Sequence, residues 1–142
     1  MNIFTDTELA YLGSQRLGRL ANVDAGGAPK NNPVGFRYNP DLVTVDIFGL
    51  NMGATRKYRN VLSHPEVALV VDDIASVDPW VVRGVEIRGR AEALDAQSPP
   101  RAGMSRQIIR VHPRRIISWG VDPDHPGINA RDLQIADSGQ VA

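Results

Sequence analysis

The chain has 142 residues, 16 Lys+Arg against 16 Asp+Glu, 42% hydrophobic and 23% charged residues, and no cysteine. One domain with its own core fits that length, and a formal net charge of zero excludes a nucleic-acid partner held by bulk electrostatics. Without Cys there are no disulfides, thiolate metal sites or cysteine nucleophiles, which suits a reducing cytoplasm, the expected location. No apolar run approaches the roughly 18 residues of a membrane span, and the N-terminus is polar rather than basic and then apolar like a signal peptide, so no membrane partner is expected.

The first predicted element is a short helix. Thr5-Asp6-Thr7-Glu8 has the spacing of a capping box, and Leu9, Tyr11 and Leu12 give an apolar stripe ending near Gly13. Residues 16–23 alternate loosely, with Leu17, Leu20 and Val23 apolar, and the turn cluster 24–29 makes them the first arm of a hairpin. The second arm, 31–38, contains Pro33, which cannot donate to a ladder and points to an edge, a bulge or a strand interrupted for a ligand. After the turn Asn39-Pro40-Asp41, residues 42–48 form the third strand, with Val43, Val45 and Ile47 on one face.

From that strand the chain enters Asn51-Met52-Gly53-Ala54-Thr55-Arg56-Lys57-Tyr58-Arg59-Asn60, read as a turn and the start of a helix that ends before His64-Pro65. Gly53 permits the turn, the Thr55 hydroxyl can cap, and Arg56, Lys57 and Arg59 gather three cations at a helix start. Unpaired backbone N–H groups, the helix dipole and charged donors together favour an anion there, a phosphate site in outline. The alternative is a solvated helix face that happens to be basic.

Residues 66–72 and 84–94 read as two further strands joined by a long loop, 73–82, that carries Trp80. Residues 107–111 and 115–119 read as two more, separated by the breaker His112-Pro113. Six or seven strands at hairpin spacing with two short helices predict a mainly β fold, an antiparallel barrel or sandwich. We divide the chain into a barrel domain over 1–120 and a tail over 121–142, rich in Pro, Asp and Gly, that is loose or clasps a partner.

Nucleophile elbows, dinucleotide fingerprints and phosphate-binding P-loops are all missing. His64, His112 and His125 each precede a proline at spacings that build no metal site, and Asp72, Asp73 and Asp78 lack the rest of a calcium loop, so no metal is assigned. Trp80 and Trp119 are core or dimer anchors, or covers for a flat ring.

Four segments, Gln15-Arg16-Leu17-Gly18-Arg19-Leu20-Ala21, Asn32-Pro33-Val34-Gly35-Phe36-Arg37-Tyr38, Thr55-Arg56-Lys57-Tyr58-Arg59-Asn60-Val61 and Val85-Glu86-Ile87-Arg88-Gly89-Arg90-Ala91, carry a more specific signal. Together they resemble the pyridoxamine phosphate oxidase-like split-barrel family, in particular its actinobacterial deazaflavin-dependent branch. The resemblance implies a six-stranded antiparallel split β-barrel that works as a homodimer and binds coenzyme F-420, or alternatively FMN, in grooves between subunits. Thr55, Arg56 and Lys57 match the family's phosphate-binding positions, with Arg59 and Lys30 available to an anionic tail. Asn32, Pro33 and Val34 match the strand along the ring, Asn51 and Met52 the stretch beside it, and Trp80 and Trp119 positions that reach a partner's site.

Two departures matter: Lys30-Asn31-Asn32 stands where many relatives carry His, and residues 95–106 are short and Pro-rich where pyridoxine-phosphate oxidases bind substrate. The expectation is therefore a reductase that passes hydride from reduced F-420 to an unsaturated, conjugated small molecule. An FMN-dependent oxidase or reductase and a non-catalytic flavin or deazaflavin carrier are the alternatives. No side chain is assigned as catalytic, because such a cofactor carries the reactivity.

Overall fold

The structure, a computed structural model, describes residues 3–133. Helix α1 (Asp6–Ser14) opens with the expected capping box: the Thr5 hydroxyl accepts from the Glu8 N–H, and the Glu8 carboxylate accepts from the Thr5 N–H. Strands β1 (Leu17–Val23) and β2 (Pro29–Asn39) form the hairpin, and β3 (Thr44–Phe48) follows. A single 3-10 turn (Met52–Ala54) leads into α2 (Arg56–Ser63), and β4 (Glu66–Ser76), β5 (Val81–Leu94), β6 (Ile108–Trp119) and β7 (Ile128–Asp132) complete the fold. No helix among the described residues is long and apolar enough to cross a membrane.

All pairings are antiparallel in the order β3-β2-β1-β4-β5-β6-β7, and β3 also pairs with β6, which closes the first six strands into a barrel. Its interior is filled by Leu20, Val45, Ile47, Leu69, Ile87 and Ile116, each with no exposed surface. Over the described residues the fold is thus mainly β, with a closed six-stranded antiparallel barrel, one added strand and two short helices.

Several boundaries differ from the sequence reading. Residues 73–82 are not a long loop: β4 continues to Ser76 and β5 begins at Val81, because Asp73↔Arg83 and Ile74↔Val82 stay in register and the Arg83 guanidinium grips the Asp73 carboxylate. His112-Pro113 does not break a strand either. The register shifts between Arg88 and Gly89, and a Cβ on Gly89 would lie 2.0 Å from the His112 carbonyl oxygen, so glycine lets β6 pass Pro113 as one strand. The third strand starts at Thr44, since Val43 occupies the left-handed region (φ 57) in the preceding turn. In β1 the inward phase is Gly18, Leu20 and Asn22, so Leu17 faces outward at 58% exposure. Within the stretch read as a tail, Ile128–Asp132 form β7 on the C-terminal half of β6, and residues 134–142 lie outside the described residues.

The barrel seam is fastened by charge. Asp46 on β3 faces Arg110 on β6, and both carboxylate oxygens accept from the guanidinium at 3.0 Å, while Asn39 and Thr44 donate to the same carboxylate. Burial pushes the Asp46 carboxyl up, but the Arg110, Asn39 and Thr44 hydrogen bonds outweigh it and hold the group below its ordinary value. A depressed folded-state value contributes stability that is complete above the ordinary carboxylate range and is lost as pH falls through the lowered value. Asp46→Asn should therefore cost about 3 kcal/mol near neutral pH, the cost of leaving a buried partner charge unpaired, and should flatten the acid limb of the stability curve. Chemical denaturation of both proteins across pH 2–8 checks this.

Candidate cofactor site

The site begins where β3 ends. β2 pairs with β3 only from Gly35 to Asn39, whereas its partnership with β1 runs from Pro29 to Gly35. The first half of β2, with Lys30, Asn32, Pro33 and Val34, thus has one paired neighbour and one open edge. The missing N–H of Pro33 falls in that half, where no second ladder needs it.

Beyond Phe48 the chain crosses the end of the barrel and is held by the 95–107 segment. Ser105 donates its N–H to the Gly49 carbonyl at 2.8 Å, and its hydroxyl accepts from the Met52 N–H at 3.2 Å. Gln107 packs on Gly53, where an added Cβ would sit 3.1 Å from its side chain. Thr55 caps α2: its hydroxyl accepts from the Tyr58 N–H and donates to the Met52 carbonyl. Tyr58 reaches the Leu94 carbonyl on β5 at 3.1 Å, and Val61 is buried, so the start of α2 is fixed against the barrel.

Between the open β2 edge and this helix start lies a cavity of about 300 Å³ lined by Lys30, Asn32, Thr55, Arg56, Lys57 and Asn60. Lys30 is ion-paired with Asp24 at 3.6 Å. Arg56, Lys57 and Arg59 have no carboxylate partner among the described residues, although eight arginines besides Lys30 pair with carboxylates elsewhere, among them Arg19, Arg83, Arg110 and Arg131. Burial without a counter-charge pushes the Lys57 ammonium below the ordinary lysine value. A half-buried cation beside a capped helix start is the arrangement that an anion completes.

Of the residues singled out from the sequence, Asn32, Thr55, Arg56 and Lys57 come together in this cavity. Arg59 lies one turn along α2, exposed and outside the lining, while Asn51 and Met52 stand at the 3-10 turn with the Met52 side chain in the core at 1% exposure. Val34 is likewise in the core, and Pro33 is exposed. Trp80 and Trp119 do not reach the cavity within one chain: they line a separate apolar groove of about 760 Å³ with Val82, Ile117 and Ile128. Trp119 lies over Gly84, where a Cβ would come within 2.5 Å of the indole.

Sequence reasoning did not assign Asn22 and Asn60. Asn60 donates from Nδ2 to the Asn22 Oδ1 at 2.8 Å, and Asn22 donates from Nδ2 to the Asn32 Oδ1 at 3.3 Å. The available signal was Asn22 itself, a polar residue at the inward phase of β1 between apolar neighbours. Thr55→Ala should lower stability by about 1 kcal/mol, the usual loss for an N-cap, and weaken anion binding at the same time. Denaturant titration with and without saturating inorganic phosphate separates the two effects.

The chain is 44% identical over 144 residues, covering 96% of itself and 98% of its relative, to a 5a,11a-dehydrotetracycline/5a,11a-dehydrooxytetracycline reductase of Streptomyces rimosus. Among solved structures, an F-420 reductase superposes with a TM-score of 0.61 at 21% identity, over 80% of this chain and 98% of that one. A haem-binding protein of Mycobacterium smegmatis superposes with a TM-score of 0.66 at 14% identity, over 93% of this chain and 60% of that longer chain, so the shared barrel does not by itself select a ligand. The sequence profile described as pyridoxamine 5'-phosphate oxidase matches residues 4–133, and with it the chain belongs to the pyridoxamine 5'-phosphate oxidase family.

Proposed function

We propose that this protein is a reductase that binds coenzyme F-420 and directs hydride to a conjugated double bond of a polycyclic small molecule. The observation that carries the reading is the pair of α2 cations without carboxylate partners, Arg56 and above all the half-buried Lys57, facing a cavity on the open edge of β2. A phosphorylated, flat-ringed cofactor fits both features: an anion for the helix start, and an exposed strand edge for the ring. The relative at 44% identity is named for reducing 5a,11a-dehydrotetracyclines, whose name denotes such a double bond, and this supports a substrate of that kind.

In this reading Thr55, Arg56 and Lys57 hold the phosphate, Arg59 and Lys30 meet the anionic tail, Asn32 to Val34 run beside the ring, and Asn51 and Met52 shape its far side. Bound deazaflavin supplies the hydride. The chain fixes the orientation of the ring against the substrate and keeps water from the transfer, which is where rate is gained when the reactivity is not in a side chain. FMN is the second reading, because the same cations would hold its phosphate.

We further propose that the protein works in the cytoplasm as a homodimer whose partner covers the apolar groove. Trp80, Val82 and Ile128 are 64%, 41% and 76% exposed on one face, an apolar surface that suits a protein partner. In the dimer, Trp80 and Trp119 lie where they can approach the partner's ring.

Lys57→Ala should weaken F-420 binding by roughly 1–3 kcal/mol, about 5- to 150-fold, the range for a lost charged hydrogen bond. Calorimetric titration measures it, and wild-type affinity in the variant contradicts the assignment. With wild-type protein, oxidation of reduced F-420 should depend on an added dehydrotetracycline; no oxidation with that acceptor rejects the substrate class while leaving the cofactor reading to the titration.

A further inference from the structure

A second cavity, of about 350 Å³, lies along the β3–β6 seam and shares no lining residue with the α2 cavity. Arg37, Asp46 and Arg110 stand side by side in it, because Arg37↔Asp46 and Asp46↔Arg110 are register partners on β2, β3 and β6. Asp46 alternates with the interior residues Val45 and Ile47, so this row points out of the barrel. The Asp46 carboxylate is full: Oδ1 accepts from Arg110 and Thr44, and Oδ2 from Arg110 and Asn39, two bonds on each oxygen. Asn39 is engaged as well, its oxygen accepting from the Asp41 and Leu42 N–H groups. Arg37 thus stands directly across from a carboxylate that has no place left for it, and it has no carboxylate partner elsewhere among the described residues. Glu92, the register partner of Arg110 on β5, is taken by His112.

Two turns wall this cavity, 39–43 and 95–98, and each holds a non-glycine residue in the left-handed region, Val43 (φ 57) and Ala96 (φ 58), the two such residues among the described ones. That conformation is unfavourable for alanine and more so for β-branched valine, so both walls keep their shape against local preference. Tyr38, Pro40 and Phe48 add flat or apolar surface. We propose that this cavity is a second ligand site, for a monoanionic organic acid with a flat body of one or two rings. The lining carries two guanidinium groups against one carboxylate, so a single negative charge completes it. A guanidinium is a planar fork that matches a carboxylate; Arg37 offers a whole one, and Arg110 keeps the N–H groups that Asp46 does not use. The ring body replaces water on Phe48, Tyr38 and Pro40, and the small volume limits its size. A phosphate dianion brings more charge than this lining neutralises.

The test is calorimetric titration of wild type, Arg37→Gln and Lys57→Ala with naphthoate and with the neutral naphthalenemethanol, at one ionic strength. Arg37 is exposed, so Arg37→Gln leaves the barrel intact. Wild type should bind the acid about 10-fold more tightly than the alcohol, and Arg37→Gln should lose about 10-fold in acid affinity with little change for the alcohol, the worth of one charge-assisted hydrogen bond. Lys57→Ala should keep acid affinity within about twofold, and saturating inorganic phosphate should not displace the acid. Acid affinity unchanged in Arg37→Gln overturns the proposal, as does equal binding of acid and alcohol or no binding of the acid. Competition by phosphate, or a loss in Lys57→Ala that matches the loss in Arg37→Gln, places the acid on the α2 cations and overturns it too.

Discussion

The length of β3 is the constraint on which the site depends. Five residues of β3 run beside eleven of β2, so pairing stops at Gly35 and half of the β2 edge is left without a neighbour. Had β3 continued, Lys30 and Asn32 would lie in a closed ladder with no room for a ligand. Instead the chain turns at residues 49–55 and lays the start of α2 across the gap, so that one event, the end of a strand, produces the open edge, the helix N-terminus and the cavity between them. The Asp46–Arg110 pair at the β3–β6 seam holds that short strand in place, and the Ser105 and Gln107 contacts hold the turn after it.

Charge is distributed accordingly. The formal net charge is zero, yet the cations are not equally neutralised. Arg19, Arg83, Arg110 and Arg131 are spent on Asp72, Asp73, Asp46 and Glu8, contacts that join strands or tie α1 to β7. The cations of α2 are left over, as are Arg16, Arg37, Arg101 and Arg106 at other places in the chain, and Lys57 is partly withdrawn from water as well. What sets α2 apart is that three such cations stand together at one helix start.

Local signals were legible in the sequence wherever one residue type does one job. The Thr5/Glu8 capping box, the Thr55 cap, the turn at residues 24–29 and the placement of Pro33 all follow from side-chain chemistry over a few positions. What was misread depends on partners far along the chain. The run through His112-Pro113 looks broken until Gly89, on the neighbouring strand, makes room for the His112 carbonyl, and residues 73–76 look like loop until Arg83 pairs across to Asp73. The cation cluster was visible as a cluster; the amides that complete the cavity were not, because Asn22 and Asn60 are 38 residues apart and meet only when β1 passes under α2. Trp80 and Trp119, which the resemblance assigned to a partner's site, line an outer groove of the single chain, apart from the α2 cavity.

The most direct test of the account is a pair of calorimetric titrations of the purified protein, with F-420 and with FMN, at one fixed ionic strength. The account predicts micromolar or tighter binding of F-420 and clearly weaker binding of FMN. Tighter binding of FMN would contradict the deazaflavin assignment while keeping the phosphate site, and binding of neither would reduce the α2 cations to a solvated helix start.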